Sequence, residues 1–197
     1  MNEPQIQSLL AAIAISSGLS PNITPSQRTS AFDALEQFKS YTGRIGGCVE
    51  LIGRPSLSLD VETTSIDVTT PTKLFCLGLI QEFLKTGYST LEEGDRIQLR
   101  TSILLSARQL ATTDTSSLNA SAEAELRILS MKVASLLADV AVREFPQRWN
   151  NFVNDLFSGI WGDGNVMGVK ICLECLKLIT EDCTDSDFNS KVRRHAF

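Results

Sequence analysis

The chain has 197 residues, of which 43% are hydrophobic and 21% charged, and a formal net charge of −5. That is enough apolar material for one domain or a short array of repeats, and too much for a disordered chain. The acidic balance speaks against gripping nucleic acid through phosphate contacts of its own, which draws on a basic excess; the longest basic cluster is Lys191, Arg193, Arg194 and His195.

The elements read almost entirely as helix. A first helix is expected from about Gln5 to Ser17, with Ile6, Leu9, Leu10 and Ile13 on one face, stopped by Gly18 and Pro21. Thr24 then opens a second helix as its cap, with Pro25 in the first helical position and Gln27 closing a capping box. Its buried stripe is Ala31, Leu35 and Phe38, up to about Tyr41. The glycine-rich and Ser/Thr-rich stretch that follows reads as a loop insertion over 42–70, with at most one short helical turn at Cys48–Ile52. Helices resume at Thr70, a cap followed by proline, with Leu74, Leu77, Ile80, Phe83 and Leu84 apolar around much of the circumference, until Gly87. A second capping box, Ser89 with Glu92, opens a helix to about Ala111 that buries Leu99, Ile103, Ala107 and Leu110.

After a polar loop, a helix of about six turns runs from roughly Glu123 to Glu144. Leu126, Leu129, Val133, Leu136, Leu137, Val140 and Ala141 lie at steps of three and four. Phe145-Pro146 breaks it, because proline offers no amide and disfavours helix in the residue before it. The next helix carries Trp149, Phe152, Val153, Leu156, Phe157 and Ile160, and ends at Gly162 and Gly164. A further helix to about Cys183 uses Val166, Val169, Leu173, Leu176 and Ile179, and Ser186 or Asp187 caps one more. The pairs starting near Leu126 and Val166 are about 40 residues apart, the period of HEAT-type repeats. The expected fold is therefore all-α, a HEAT-like α-solenoid of antiparallel helix pairs, about three and a half repeats of a longer superhelix.

Candidate chemistry is sparse. Cys172 and Cys175 form a CxxC, but a structural zinc wants four ligands, and both cysteines lie within an apolar helical stripe, so they read as packing residues. With a single histidine, His195, no nucleophile–base pair suggests itself, and no catalytic site, metal site or cofactor is expected. The acidic group Glu181, Asp182, Asp185 and Asp187 reads as capping and solvated turn. Gly162-Asp163-Gly164-Asn165 reads as a turn, because the spaced ligands and closing Glu of a calcium loop are missing. Five scattered cysteines fit reduced thiols in a cytosolic or nuclear protein, which makes the sequons at Asn22 and Asn119 incidental. Leu9–Ile15 lacks the basic start of a signal peptide, and no apolar run approaches the roughly 20 residues of a membrane span.

One segment is sharper. Arg143, Glu144, Phe145, Pro146, Gln147 and Trp149, followed by Phe152, join a charged pair, an aromatic-proline break, and Trp and Phe at helical spacing. This pattern resembles the exportin-one-like motif of the importin-β superfamily (karyopherins), in which a basic residue, Glu, Trp, Pro, Gln, any residue and Trp precede an apolar residue. The chain departs from it at Phe145, where Trp is usual, and at Asn150, where Pro is common. Leu176 to Cys183 resembles the following repeat in the exportin-five branch, and Gln27 to Phe38 the first inner helix of such receptors. On that resemblance 1–197 is an amino-terminal HEAT-repeat segment and 123–183 its exportin-one-like helices.

The resemblance implies a nuclear export receptor that binds Ran-GTP and carries protein or structured-RNA cargo past nuclear pore proteins, shuttling between nucleus and cytoplasm. GTP belongs to Ran, so no cofactor and no catalysis are expected of this chain, nor membrane binding, nor RNA binding by the chain alone. Ran would meet the inner helices at roughly Thr24–Tyr41 and Leu91–Leu110, with Arg28, Lys39, Arg96 and Arg100 as candidate contacts. The motif itself is expected to be structural, with Trp149 filling the space between two helices. An import receptor of the same superfamily and a helical-repeat scaffold outside transport remain as alternatives.

Overall fold

The structure is a computed structural model that describes residues 3–41, 43–54, 69–113, 119–162 and 165–184. Among the described residues the chain is all-α: eight α-helices, one 3-10 turn and one π-helical turn, with no strand. It divides into two compact units, residues 1–102 and 103–197.

In the first unit α1 (Glu3–Ser16) buries Ile6, Leu9, Ala12 and Ile13. It ends as a Schellman motif: Leu19 N donates to Ala14 O (3.0 Å) and Gly18 N to Ile15 O (3.2 Å). That closure needs the left-handed φ of +75° at Gly18, which glycine adopts without a Cβ clash. The capping box opening α2 (Pro25–Ser40) forms as expected: Gln27 N donates to Thr24 Oγ1 (3.3 Å) and Thr24 N to Gln27 Oε1 (2.8 Å). α2 packs on α1 through Ala31 and Leu35, and Phe38 meets Phe75 at 6.2 Å between ring centroids.

The stretch expected to be loop is partly core. Residues 44–53 form α3 (Arg44–Gly53), which packs on the next helix with Gly47, Cys48, Val49, Leu51 and Ile52 buried. Glycine lowers helix propensity by up to about 1 kcal/mol each, but burying this apolar face outweighs it. Residues 55–68 of the expected insertion lie outside the described residues.

α4 (Thr70–Thr86) has its N-cap position one residue earlier than expected, at Thr69, whose side chain bonds no helix amide, and it buries Cys76, Leu77, Leu79, Ile80 and Leu84. The Ser89–Glu92 capping box does not form. Tyr88–Thr90 make a 3-10 turn instead, because Tyr88 is buried and Thr90 Oγ1 donates to Gly87 O (2.7 Å). α5 (Glu93–Ala111) starts after that turn and crosses the boundary between the units, with Leu99 buried in the first and Ile103, Ala107 and Leu110 in the second.

In the second unit α6 (Ala120–Glu144) begins three residues before the expected start, because the Asn119 side chain accepts from Ala122 N (2.9 Å). Leu129, Val133, Leu136, Leu137, Val140 and Ala141 are buried as the spacing predicts; Leu126 is only half-buried. α7 (Phe152–Leu156) leads into the π-helical turn Phe157–Trp161, closed by Gly162 at φ +48°. α8 (Val166–Thr184) packs along α6 and against the π turn. Its buried face is not the expected one. Val166 and Leu173 are exposed, Val169, Leu176 and Ile179 half-buried, and Gly168, Ile171, Cys172 and Cys175 form the buried stripe at i, i+3, i+4 and i+7. The two cysteines pack as small hydrophobes, which turns the face by about one residue from the aliphatic pattern. The helix expected after Ser186 or Asp187, the acidic residues Asp185 and Asp187, and the basic cluster at His195 lie outside the described residues.

Candidate functional site

The sharp sequence motif folds into a corner between α6 and α7. At the end of α6, Arg143 turns back one turn, with its guanidinium on the Asp139 carbonyl oxygen and 3.5 Å from Asp139 Oδ1. Glu144 is 1% exposed, and its carbonyl accepts from both Arg148 N (2.7 Å) and Trp149 N (3.1 Å). Those bonds close the chain around Phe145-Pro146, whose peptide is cis. The corner satisfies carbonyls that a helix end leaves free.

Trp149 is the plug. It is 2% exposed, meets Phe152 edge-on at 4.9 Å, and donates its indole N–H to Asp155 Oδ2 at 2.7 Å. Phe145 covers the outer side, 5.9 Å from Phe152 and partly exposed. Trp149 precedes α7 instead of lying on it, so residues 145–151 form a turn where the next helix is expected to start directly after the Phe145-Pro146 break. Pro146 and Gln147 are exposed. The motif thus brings Glu144, Trp149 and Phe152 into one packed corner and leaves Arg143, Pro146 and Gln147 on its rim. Asp155 belongs to the same corner without standing out in the sequence, because its partner is six residues away across a bend.

The next contacts hold α8 to that corner. A Cβ on Gly168 would stand 2.1 Å from the Ile160 carbonyl oxygen, so the backbones meet directly there. Cys172 Sγ donates to the Leu156 carbonyl at 3.4 Å. Burial pushes the Cys172 thiol up to about 11; burial and the neighbouring Cys172 push Cys175 up to about 12. Thiols held protonated in this way are poor nucleophiles and poor metal ligands. In the first unit Cys76 is held well above its usual value by a hydrogen bond with Cys48 and by burial. Among the described residues no group of three or more His, Cys, Asp or Glu stands where it could hold a metal ion, and no helix is long and apolar enough to cross a membrane.

The four expected partner contacts lie in the first unit as two pairs. Arg28 and Lys39 are three turns apart on one side of α2 and exposed; Lys39 makes a 2.6 Å ion pair with Glu36. Arg96 and Arg100 are one turn apart on α5. Arg96 is committed locally: its guanidinium lies 5.6 Å over the Tyr88 ring and donates to Ser89 O at 3.2 Å. It buttresses the 3-10 turn.

One buried cation escaped the sequence reading. Lys73, in the first turn of α4, is 1% exposed, and burial pushes its ammonium from the usual 10.5 down to about 8. The unfolded chain therefore binds that proton near pH 10.5, the folded one only near pH 8. Between those limits the unfolded state holds more protons, so folding stability rises with pH across the window. Lys73→Met lacks that rise. Urea melts at about pH 7.5 and about pH 10 should show the variant gaining least over the native protein, or losing most, at the higher pH. A difference that does not move with pH would mean the ammonium keeps its charge on folding.

Residues 126–196, a little over a third of the chain, match the family model described as exportin 1-like protein. The matched stretch contains the whole corner from Arg143 to Asp155 and all of α8. The match does not extend to the exportin-five branch. No curated protein matches the chain.

Proposed function

We propose that this chain is the amino-terminal part of a nuclear transport receptor of the export type. In this reading its helix pairs stack as HEAT-like repeats of a solenoid, and it binds Ran-GTP together with cargo. The single observation that carries the reading is the exportin 1-like match, which falls on the buried Trp149 corner and not on a surface of general helical character. The corner sets the turn between successive helices and is structural; recognition falls to exposed faces elsewhere. The nucleotide is hydrolysed on Ran, so this chain contributes binding and no chemistry. Physically, Ran and cargo are linked by a coupling free energy of about 1–3 kcal/mol, expressed as each raising the other's affinity. Cargo is protein or structured RNA, the receptor passes nuclear pore proteins, and it shuttles between nucleus and cytoplasm. Assignment to the exportin-five branch rests on Leu176–Cys183 alone.

Calorimetric titration of the chain and of its full-length parent with Ran loaded with GTP or GDP tests this. Selective binding of the GTP form is expected. Cargo that raises Ran affinity marks an exportin, and cargo expelled by Ran-GTP marks an import receptor. A folded parent that ignores both nucleotide forms is a helical scaffold outside transport. Within the binding reading, charge reversal of Arg28 with Lys39 should weaken Ran by about tenfold or more. On α5 Arg96 and Arg100 are reversed together, with a thermal melt beside the titration, because altering Arg96 also removes its contacts to Tyr88 and Ser89.

A further inference from the structure

The helix α6 has two apolar faces, and among the described residues only one of them is buried. Leu129, Val133, Leu136, Leu137 and Val140 are buried inside the second unit. On the outer face of its first turns Ala120, Ala124, Ile128 and Met131 recur at steps of four, four and three, which makes one continuous stripe about 17 Å long. Ile128 is 55% exposed and Met131 51%. Together with Glu123 and Arg127 these residues line a shallow depression of about 440 Å³.

The two charges sit on the same flank of the stripe, four residues apart, with Glu on the N-terminal side. That order favours an ion pair within the helix. Among the described residues neither side chain makes one.

We infer that this face is where a second copy of the chain docks, helix against helix and antiparallel, about a two-fold axis passing beside residues 125 and 126. Three features of the stripe agree on that axis. It sets Ala120 opposite Met131 of the second copy and Ala124 opposite its Ile128, so each large side chain meets a small one. It also sets Glu123 opposite Arg127 of the second copy, and by symmetry Arg127 opposite its Glu123. An antiparallel two-fold keeps a given flank on the same side of the interface, so the opposite charges meet twice. A parallel two-fold pairing in register would place Ile128 on Ile128, which is bulk against bulk, and would carry Glu123 and Arg127 of the two copies to opposite sides of the interface, where neither charge meets its complement. The contact is isologous: residue i meets residue j, and j meets i. Three helical turns make a small contact, so the dimer exchanges with monomer and forms at micromolar or higher concentration. The inference stands on this face alone and does not rest on a transport role.

Sedimentation velocity on the full chain, from about 1 to about 300 µM, reads the association directly. The native chain should shift from monomer to dimer over that range. Glu123→Arg and Arg127→Glu should each weaken dimerisation by about tenfold or more, because each puts two like-charge pairs in the interface. An equimolar mixture of these two variants should dimerise again, since every pair is then complementary. Circular dichroism melts of both variants should match the native chain, because the replaced side chains are exposed. A native chain that stays monomeric throughout overturns the inference. So do charge variants that dimerise as well as the native chain, which would move the contact elsewhere, and a mixture that stays monomeric, which would reject the two-fold pairing.

Discussion

Trp149→Ala should lower the stability of the second unit by about 3–5 kcal/mol, the range found when a large aromatic side chain is cut from a packed interior. Trp149 is 2% exposed and lies between Phe152 and the turn that closes on the Glu144 carbonyl. Alanine would leave a void there and strand Asp155, whose carboxylate accepts the indole N–H. Trp149→Phe separates these two losses. It keeps most of the volume and removes the donor, so it should cost less, on the order of the 1.5–3 kcal/mol of a hydrogen bond to a charged group. Trp161, the second of the two tryptophans, lies in the same unit and reports unfolding by its fluorescence in native chain and variants alike. An unchanged urea midpoint for Trp149→Ala would remove the corner from the fold's support.

Gly168→Ala should be nearly as damaging for the opposite reason, too much matter instead of too little. Its Cβ would stand 2.1 Å from the Ile160 carbonyl oxygen and 3.2 Å from Ala111 Cβ. Neither neighbour is the free end of a flexible side chain, so α8 would have to move off the π turn. Overpacking of this kind costs about 1–3 kcal/mol, and a backbone-to-backbone clash belongs at the upper end. Alanine's better helix propensity returns at most about 1 kcal/mol. Gly78→Ala gives the contrast. Gly78 lies within α4 with nothing within 4 Å of an added Cβ, so the same replacement should stabilise by about 0.5–1 kcal/mol. Thermal melts of the two variants should move in opposite directions. If both rise, the contact between α8 and Ile160 is looser than the geometry indicates.

What was legible in the sequence followed locality. The Thr24–Gln27 capping box depends on four consecutive residues, and it forms as read. The long stripe from Leu129 to Ala141 repeats often enough for its period to show, and it is buried as read. The role of Trp149 as a plug followed from the aromatic-proline break beside it. Where composition masked periodicity, the reading failed. In α3 the glycines look like loop, while Cys48, Leu51 and Ile52 supply the buried face. In α8 the cysteines read as packing residues and are buried, but the aliphatic pattern puts the stripe on Val166 and Leu173, which face solvent. Ser89 and Glu92 have the spacing of a cap, but burial of Tyr88 decides the local backbone first. Pairings across a bend, such as Trp149 with Asp155 or Arg96 with Tyr88, have no spacing rule that reveals them. The burial of Lys73 is likewise a property of what surrounds it, and a lysine letter in a helix carries no sign of that.

α5 limits how this chain can be dissected. Its 19 residues belong in part to each unit, ten before the boundary at Ser102 and nine after. An isolated helix of nine or ten residues is below the roughly 12–15 needed for even marginal stability in water. A cut at the boundary would leave each half ending in a stub without the helical turns that continue it, and would part Leu99 from Ile103, one turn away. The unit boundary is therefore one of packing and not a joint in the chain. Expression of either half alone would need the whole of α5 carried with it, and a protease seeking the seam would find helix there.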